Sequence, residues 1–103
     1  MAIHQQEKGN IAVISVKGIL DLPNIEKLRD SLANVLIKAE TILIDVSEVT
    51  FIDLSGIQLI HGITVKSAVM GKRFALKGRP SVEFIHTIER SGFSEPMARF
   101  LKS

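Results

Sequence analysis

Residues 51–60 read FIDLSGIQLI. Two apolar residues lead into Asp53; Leu54, Ser55 and Gly56 follow, and then an apolar run resumes. This is the pattern of a buried strand giving way to a helix. Such a junction leaves the first helical N–H groups without partners. Asp53 is placed to accept from them as a cap. Ser55 then stands at the helix start with its hydroxyl exposed, and Gly56 lets the backbone turn tightly and stay uncrowded. A phosphate on that hydroxyl would meet free N–H donors and the positive end of the helix dipole. It would also bring about −1.5 to −2 units of charge to the surface. The plainer reading is that Asp53 and Ser55 are helix caps and nothing more.

Upstream, TILIDV (residues 41–46) is apolar and β-branched, a central strand, and the polar SEVT after it reads as a connecting turn. Downstream, the helix runs from about Ser55 to Val69 until Gly71 stops it. It is apolar on more than one face, through Ile57, Leu59, Ile60, Ile63, Val65 and Val69. That composition suits a helix packed on both sides or lying at a partner surface.

Further out, IAVISVK (residues 11–17) reads as a buried strand that Gly18 ends. Lys8-Gly9-Asn10 is a turn, so residues 3–7 pair with that strand as an edge. Asp21 is placed to cap a first helical turn that holds Pro23, where a missing N–H costs nothing. From there Ile25, Leu28, Leu32, Val35 and Leu36 recur at helical spacing to about Lys38, opposite Glu26, Lys27, Arg29, Asp30 and Asn34. RFALK (residues 73–77) is a further strand of parallel type. Ser81 caps a third helix carrying Val82, Ile85 and Ile88, with Gly92 as its closing residue. Ser94 and Pro96 begin a last short helix with Met97, Phe100 and Leu101 on one face.

The order β-β-α-β-α-β-α-α implies right-handed crossovers and parallel neighbours, plus one antiparallel member from the leading hairpin. The expected class is therefore α/β: a small mixed sheet of about four or five strands, with helices mainly on one face. Strand order stays open at this point.

Bulk composition agrees. The chain has 103 residues, 46% of them hydrophobic and only 5% aromatic, so the core must be mostly Ile, Leu and Val. A chain of this size can bury roughly 60 to 70% of its unfolded surface. With no Cys, a disulfide framework and a thiolate metal site are excluded. MAIHQQEKGN has no basic stretch followed by an apolar one, and no apolar run approaches the roughly 20 residues of a membrane span. The expectation is a cytoplasmic protein without direct membrane insertion. The formal charge is +2, with the basic residues scattered. No basic stripe with stacking aromatics points to nucleic acid.

The stretch IDVSEVTFIDLSGIQLI, residues 44–60, resembles the signature of the STAS domain, the family of bacterial anti-sigma factor antagonists. The resembling step is Asp53, Leu54, Ser55, Gly56 and Ile57. VKGILDLPNIEKL (residues 16–28) resembles the family's strand-Gly-x-Leu-Asp-helix segment through Gly18, Leu20 and Asp21. KRFALKGRPSVEFIHTIERSGF (residues 72–93) is similar to its strand, third helix and closing Ser-Gly-aromatic step. The resemblance covers nearly the whole chain in order and implies one STAS-like domain over residues 1–103.

It further implies a protein-binding module, an anti-sigma factor antagonist. The partner would be an anti-sigma factor that is also a serine protein kinase, and phosphorylation of Ser55 would break the complex until a serine phosphatase restores it. Asp53 would orient the hydroxyl or the incoming metal-nucleotide. Asp21 would join the docking surface, Ile57 and Ile60 would be apolar contacts, and Leu54 and Gly56 would complete the contact. Leu54 departs from the small or polar residue usual at its position. No cofactor is implied. Other STAS proteins are never phosphorylated and serve as subunits of lipid-transport ABC complexes or stress-signalling assemblies.

An enzyme is the competing class. Ser55, His61 or His86, and Asp53 or Asp45 supply a notional triad, yet Gly-x-Ser-x-Gly is missing. His61 is six residues past Ser55 on the same helix and so points elsewhere. His4, His61 and His86 have no metal-ligand spacing. Gly71-Lys72-Arg73 lacks the earlier Gly and the following Ser or Thr of a phosphate loop.

Overall fold

The computed structural model describes residues 1–92. The elements are β1 (Ala2–Lys8), β2 (Ile11–Leu20), a 3₁₀ turn (Leu22–Asn24), α1 (Ile25–Lys38), β3 (Thr41–Ile52), α2 (Leu54–Val69), β4 (Arg73–Lys77) and α3 (Val82–Ser91). The short helix expected after Ser94 lies outside the described residues.

The strands add to the sheet in chain order, β1-β2-β3-β4. β1 pairs antiparallel with β2, while β2–β3 and β3–β4 are parallel. Alternation sorts the two faces. Ala12, Ile14 and Val16 of β2 and their neighbours Ile42, Ile44 and Val46 of β3 are buried, and the residues between them are half-buried or exposed. The buried side receives α1, α2 and α3: Leu28, Leu32 and Val35 from α1, Ile57 and Ile60 from α2, and Phe84 and Ile88 from α3 join the same cluster. Each buried Leu or Ile there contributes about 1.5 to 3 kcal/mol relative to solvent exposure. The four-stranded mixed sheet with helices on one side is the expected class, with its strand order now resolved.

Two strands run longer than their composition indicates. Gly18 does not end β2; it sits inside it with φ +96°, and the strand continues to Leu20. SEVT is not a turn either; β3 passes through it to Ile52. The two extensions hold each other: Lys17 faces Glu48, Gly18 faces Val49, Ile19 faces Phe51 and Leu20 faces Ile52. β3 inserts an extra residue between Asp45 and Glu48 and again between Val49 and Phe51, so Val49 and Ile52 are buried while Ser47, Glu48 and Thr50 face water. The bulges break the period-two alternation that would have marked a strand. They also carry the chain farther before α2 starts, beside the end of β2.

Two glycines of α2 have opposite reasons to be there. A Cβ on Gly56 would stand 2.8 Å from Ile52 Cγ1 and 3.0 Å from Leu20 Cγ, so only glycine lets the helix start sit on the strand ends. A Cβ on Gly62 would meet nothing within 4 Å. Glycine in a helix interior costs about 1 kcal/mol relative to alanine, and at position 62 no packing need offsets it.

Candidate functional site

The extended ends of β2 and β3 bring two helix starts together. Asp53 links them. Its Oδ1 accepts from the Gly56 amide at 3.2 Å and from the Ser55 hydroxyl, and its Oδ2 accepts from the Leu22 amide at 3.0 Å, 31 positions away in the chain. Its own N–H donates to Leu20 O at 3.2 Å. One carboxylate thus caps α2, as expected, and also satisfies the first amide of the turn that opens α1.

Desolvation pushes the Asp53 carboxyl up, but hydrogen bonds from Ser55, Gly56 and Leu22 outweigh it and hold the group below its ordinary value. Asp53 is therefore an anion at neutral pH, and the Ser55 hydroxyl proton points at it. The α2 amide of Gly56 is not free, since Asp53 already occupies it. A phosphate on Ser55 would compete with that carboxylate instead of settling onto vacant donors.

The other expected site residues are placed as follows. Asp21 makes no side-chain cap to the helix start. Its Oδ1 accepts instead from Asn24 Nδ2 at 2.7 Å, and Asn24 also donates to Ile19 O at 3.3 Å. The capping role assigned to Asp21 falls to Asp53, because the extra residues of β3 deliver a second carboxylate to the same amide. Ile57 and Ile60 are 0% exposed. They hold α2 on the sheet and offer no surface to a partner, a correction to their reading as contact residues. Gly56 is buried too and serves the packing just described. Leu54 is 49% exposed and remains beside Ser55 as an apolar surface.

Ser55 opens onto a groove between α1 and α2 of about 450 Å³. Leu22, Leu59 and Gly62 line it along with Arg29 and Lys66, and no carboxylate is among its lining residues. Sequence reading did not single out Leu22, which is 66% exposed. The signal available was an unpaired apolar residue in a helix's first turn, following an Asp. Ile19 and Phe51, cross-strand neighbours at the same end of the sheet, are exposed as well. Among the described residues no group of three or more His, Cys, Asp or Glu is arranged to hold a metal ion, and no helix is long and apolar enough to cross a membrane.

Comparison with known proteins agrees with this architecture. An anti-sigma factor antagonist from Mycobacterium paratuberculosis superposes with a TM-score of 0.79 at 19% identity, covering 92% of this chain and 80% of that one. The anti-sigma factor antagonist SpoIIAA in its unphosphorylated form gives 0.76 at 23% identity, covering 91% and 84%. The phosphorylated form of SpoIIAA, described as a Bacillus cell fate determinant, gives 0.71 at 23% identity, covering 91% and 86%. At these identities the likeness is one of fold. No curated protein matches in sequence. The family model described as "Mlab, STAS domain" matches residues 3–101. With that match spanning nearly the whole sequence, and a sheet and helices arranged as in the antagonists, the chain belongs to the STAS domain family.

Proposed function

We propose that the chain is an anti-sigma factor antagonist of the cytoplasm, a binding module and not a catalyst. It docks, through the surface around Ser55, on an anti-sigma factor that is also a serine protein kinase. Phosphorylation of Ser55 ends the complex, and a serine phosphatase restores it. The observation that carries this reading is the Ser55 hydroxyl itself: half-buried, held by the ionised Asp53 and flanked by the exposed Leu54 and Leu22. The likeness of fold to SpoIIAA, known in unphosphorylated and phosphorylated forms, supports it.

In this reading Asp53 has two roles. Before transfer it fixes the hydroxyl proton, so that a lone pair faces the incoming phosphoryl group. After transfer its charge repels the phosphate and directs it outward, toward the partner. A dianion introduced into a desolvated contact costs several kcal/mol, and 1.4 kcal/mol is about tenfold in affinity.

The experiment mixes the protein with switch kinases from the same genome and Mg-ATP. Intact-mass and peptide analysis should place one phosphate on Ser55, with none on Ser47, Ser67 or Ser81. Ser55→Ala should bind the kinase constitutively and Ser55→Asp poorly; if both bind like the parent, the switch is refuted.

A second reading is a STAS subunit that is never phosphorylated and packs permanently in a lipid-transport ABC system or stress-signalling assembly. The Mlab description of the family model and the exposed Val65 and Val69 on α2 favour it. Copurification with a transporter at fixed stoichiometry, with both Ser55 variants silent, would select it.

A further inference from the structure

We infer that the groove between α1 and α2 receives an acidic helix of the partner, lying along α2 with its backbone closest at Gly62. The inference deepens the reading above by giving the partner surface a chemistry.

Three observations converge on it. The groove begins at Ser55 and continues down both helices past Leu22, Leu59 and Gly62. Its charged lining residues are Arg29 from α1 and Lys66 from α2, both exposed and, among the described residues, without an ion-pair partner. Asp30, the acidic neighbour of Arg29, lines a separate depression with Met1 and Ile3. Gly62 is the third. The fold does not need a glycine there, since a Cβ would point into open space. A helix interior without side-chain bulk lets a second helix approach more closely, because interaxial distance follows the side chains at the contact. The hydroxyl and the groove thus form one continuous surface.

The occupant follows from this shape and charge. A groove bounded by two helices and lined by Leu59 and Gly62, with Ile25 and Ile63 buried beneath, suits a helix with small or leucine residues inward. Arg29 and Lys66 select Asp or Glu on its flanks. Such a partner also explains why phosphate at Ser55 would act strongly. The dianion would sit at the mouth of a groove filled by like charge, and repulsion would add to the cost of desolvation.

The probe is a display library of short helical peptides selected on the full chain, with Gly62→Leu, Arg29→Glu and Lys66→Glu as comparison proteins. Selected peptides should be acidic on one helix face. Their affinity should fall about tenfold or more on Gly62→Leu and on either charge reversal, and should weaken as salt is raised. Gly62→Leu should melt above the parent, so its loss of binding would not be a loss of fold. Basic or uncharged winners, or winners that bind Gly62→Leu as well as the parent, overturn the inference. An anti-sigma kinase that binds and phosphorylates the chain, but ignores all three substitutions, overturns the groove and leaves the Ser55 reading standing. Acidic winners that need the groove, from a chain no kinase modifies, do the reverse.

Discussion

The chain carries Asp-x-Ser twice, eight residues apart, and in both copies the carboxylate holds the serine hydroxyl and a nearby amide. At Asp45-Val46-Ser47 the carboxylate accepts from the Ser47 hydroxyl at 2.6 Å and from the Ser47 amide at 3.0 Å. At Asp53-Leu54-Ser55 it accepts from the Ser55 hydroxyl and the Gly56 amide. Both carboxyls are held below their ordinary value. For Asp45 the Ser47 hydroxyl and amide do this, burial opposes, and Lys77 assists. The surroundings differ. Asp45-Val46-Ser47 lies within β3, near a recess of only about 50 Å³. Ser55 begins a helix and opens on about 450 Å³ bounded by two cations. A hydroxyl held by a carboxylate is therefore not a site in itself; position at a helix start beside an open surface separates the two copies.

The sharpest way to break this contrast is phosphate transfer. With a cognate kinase, Ser55→Ala should reduce incorporation to background, while Ser47→Ala should leave rate and stoichiometry unchanged, read by intact mass. Label that follows Ser47 would mean that the shared bonding, and not the helix start, selects the residue.

Stability should separate the carboxylates next. Asp53→Ala removes the cap of α2, whose bonds to Ser55 and Gly56 are partly buried, and such caps are worth about 0.5 to 2 kcal/mol; water can replace the exposed bond to the Leu22 amide. A loss of about 1 to 2 kcal/mol is expected from urea unfolding. Asp45→Ala frees only exposed donors that water can satisfy, so about 1 kcal/mol or less is expected. Equal losses would show that Asp53 does not join the two helix starts.

Much of this was legible in the chain before its fold was known. The period of Ile25, Leu28, Leu32 and Val35 gave α1 its buried face, and Asp53, Ser55 and Gly56 marked the start of α2. What was hidden depends on contacts distant in sequence. SEVT is polar and locally turn-like; only pairing with Lys17–Leu20 makes it strand. The Asp53–Leu22 bond spans two elements, so Asp21, the nearer acid, was the natural choice of cap. α2 is apolar on more than one face, and periodicity could not say that Ile57 and Ile60 face inward while Leu54 stays outside.

Acid should probe both copies together. A carboxyl whose folded pKa is depressed stabilises the protein above its unfolded value, near 3.8, and that contribution is lost as pH falls through the folded value. Unfolding free energy should therefore drop below about pH 4. Asp45→Asn and Asp53→Asn should each flatten that acid limb, and the double variant should flatten it further, since the two carboxylates share no hydrogen-bond partner. An unchanged limb in either single variant would show that its carboxylate is not held low in the folded state.

The last contrast concerns what Ser55 has and Ser47 lacks, the helix beyond it. Gly62→Ala adds one methyl group to the open groove. Because nothing stands within 4 Å of the new atom, the chain gains helix propensity and loses no packing. Stability should rise by about 0.5 to 1 kcal/mol. Gly56→Ala places the same methyl group 2.8 Å from Ile52 Cγ1. Either the strand ends or the helix start must move, with a loss of about 1 to 3 kcal/mol. Two identical substitutions six residues apart in one helix should thus shift the thermal midpoint in opposite directions. If both lower it, Gly62 is a structural requirement of α2, and its openness to a partner loses its meaning.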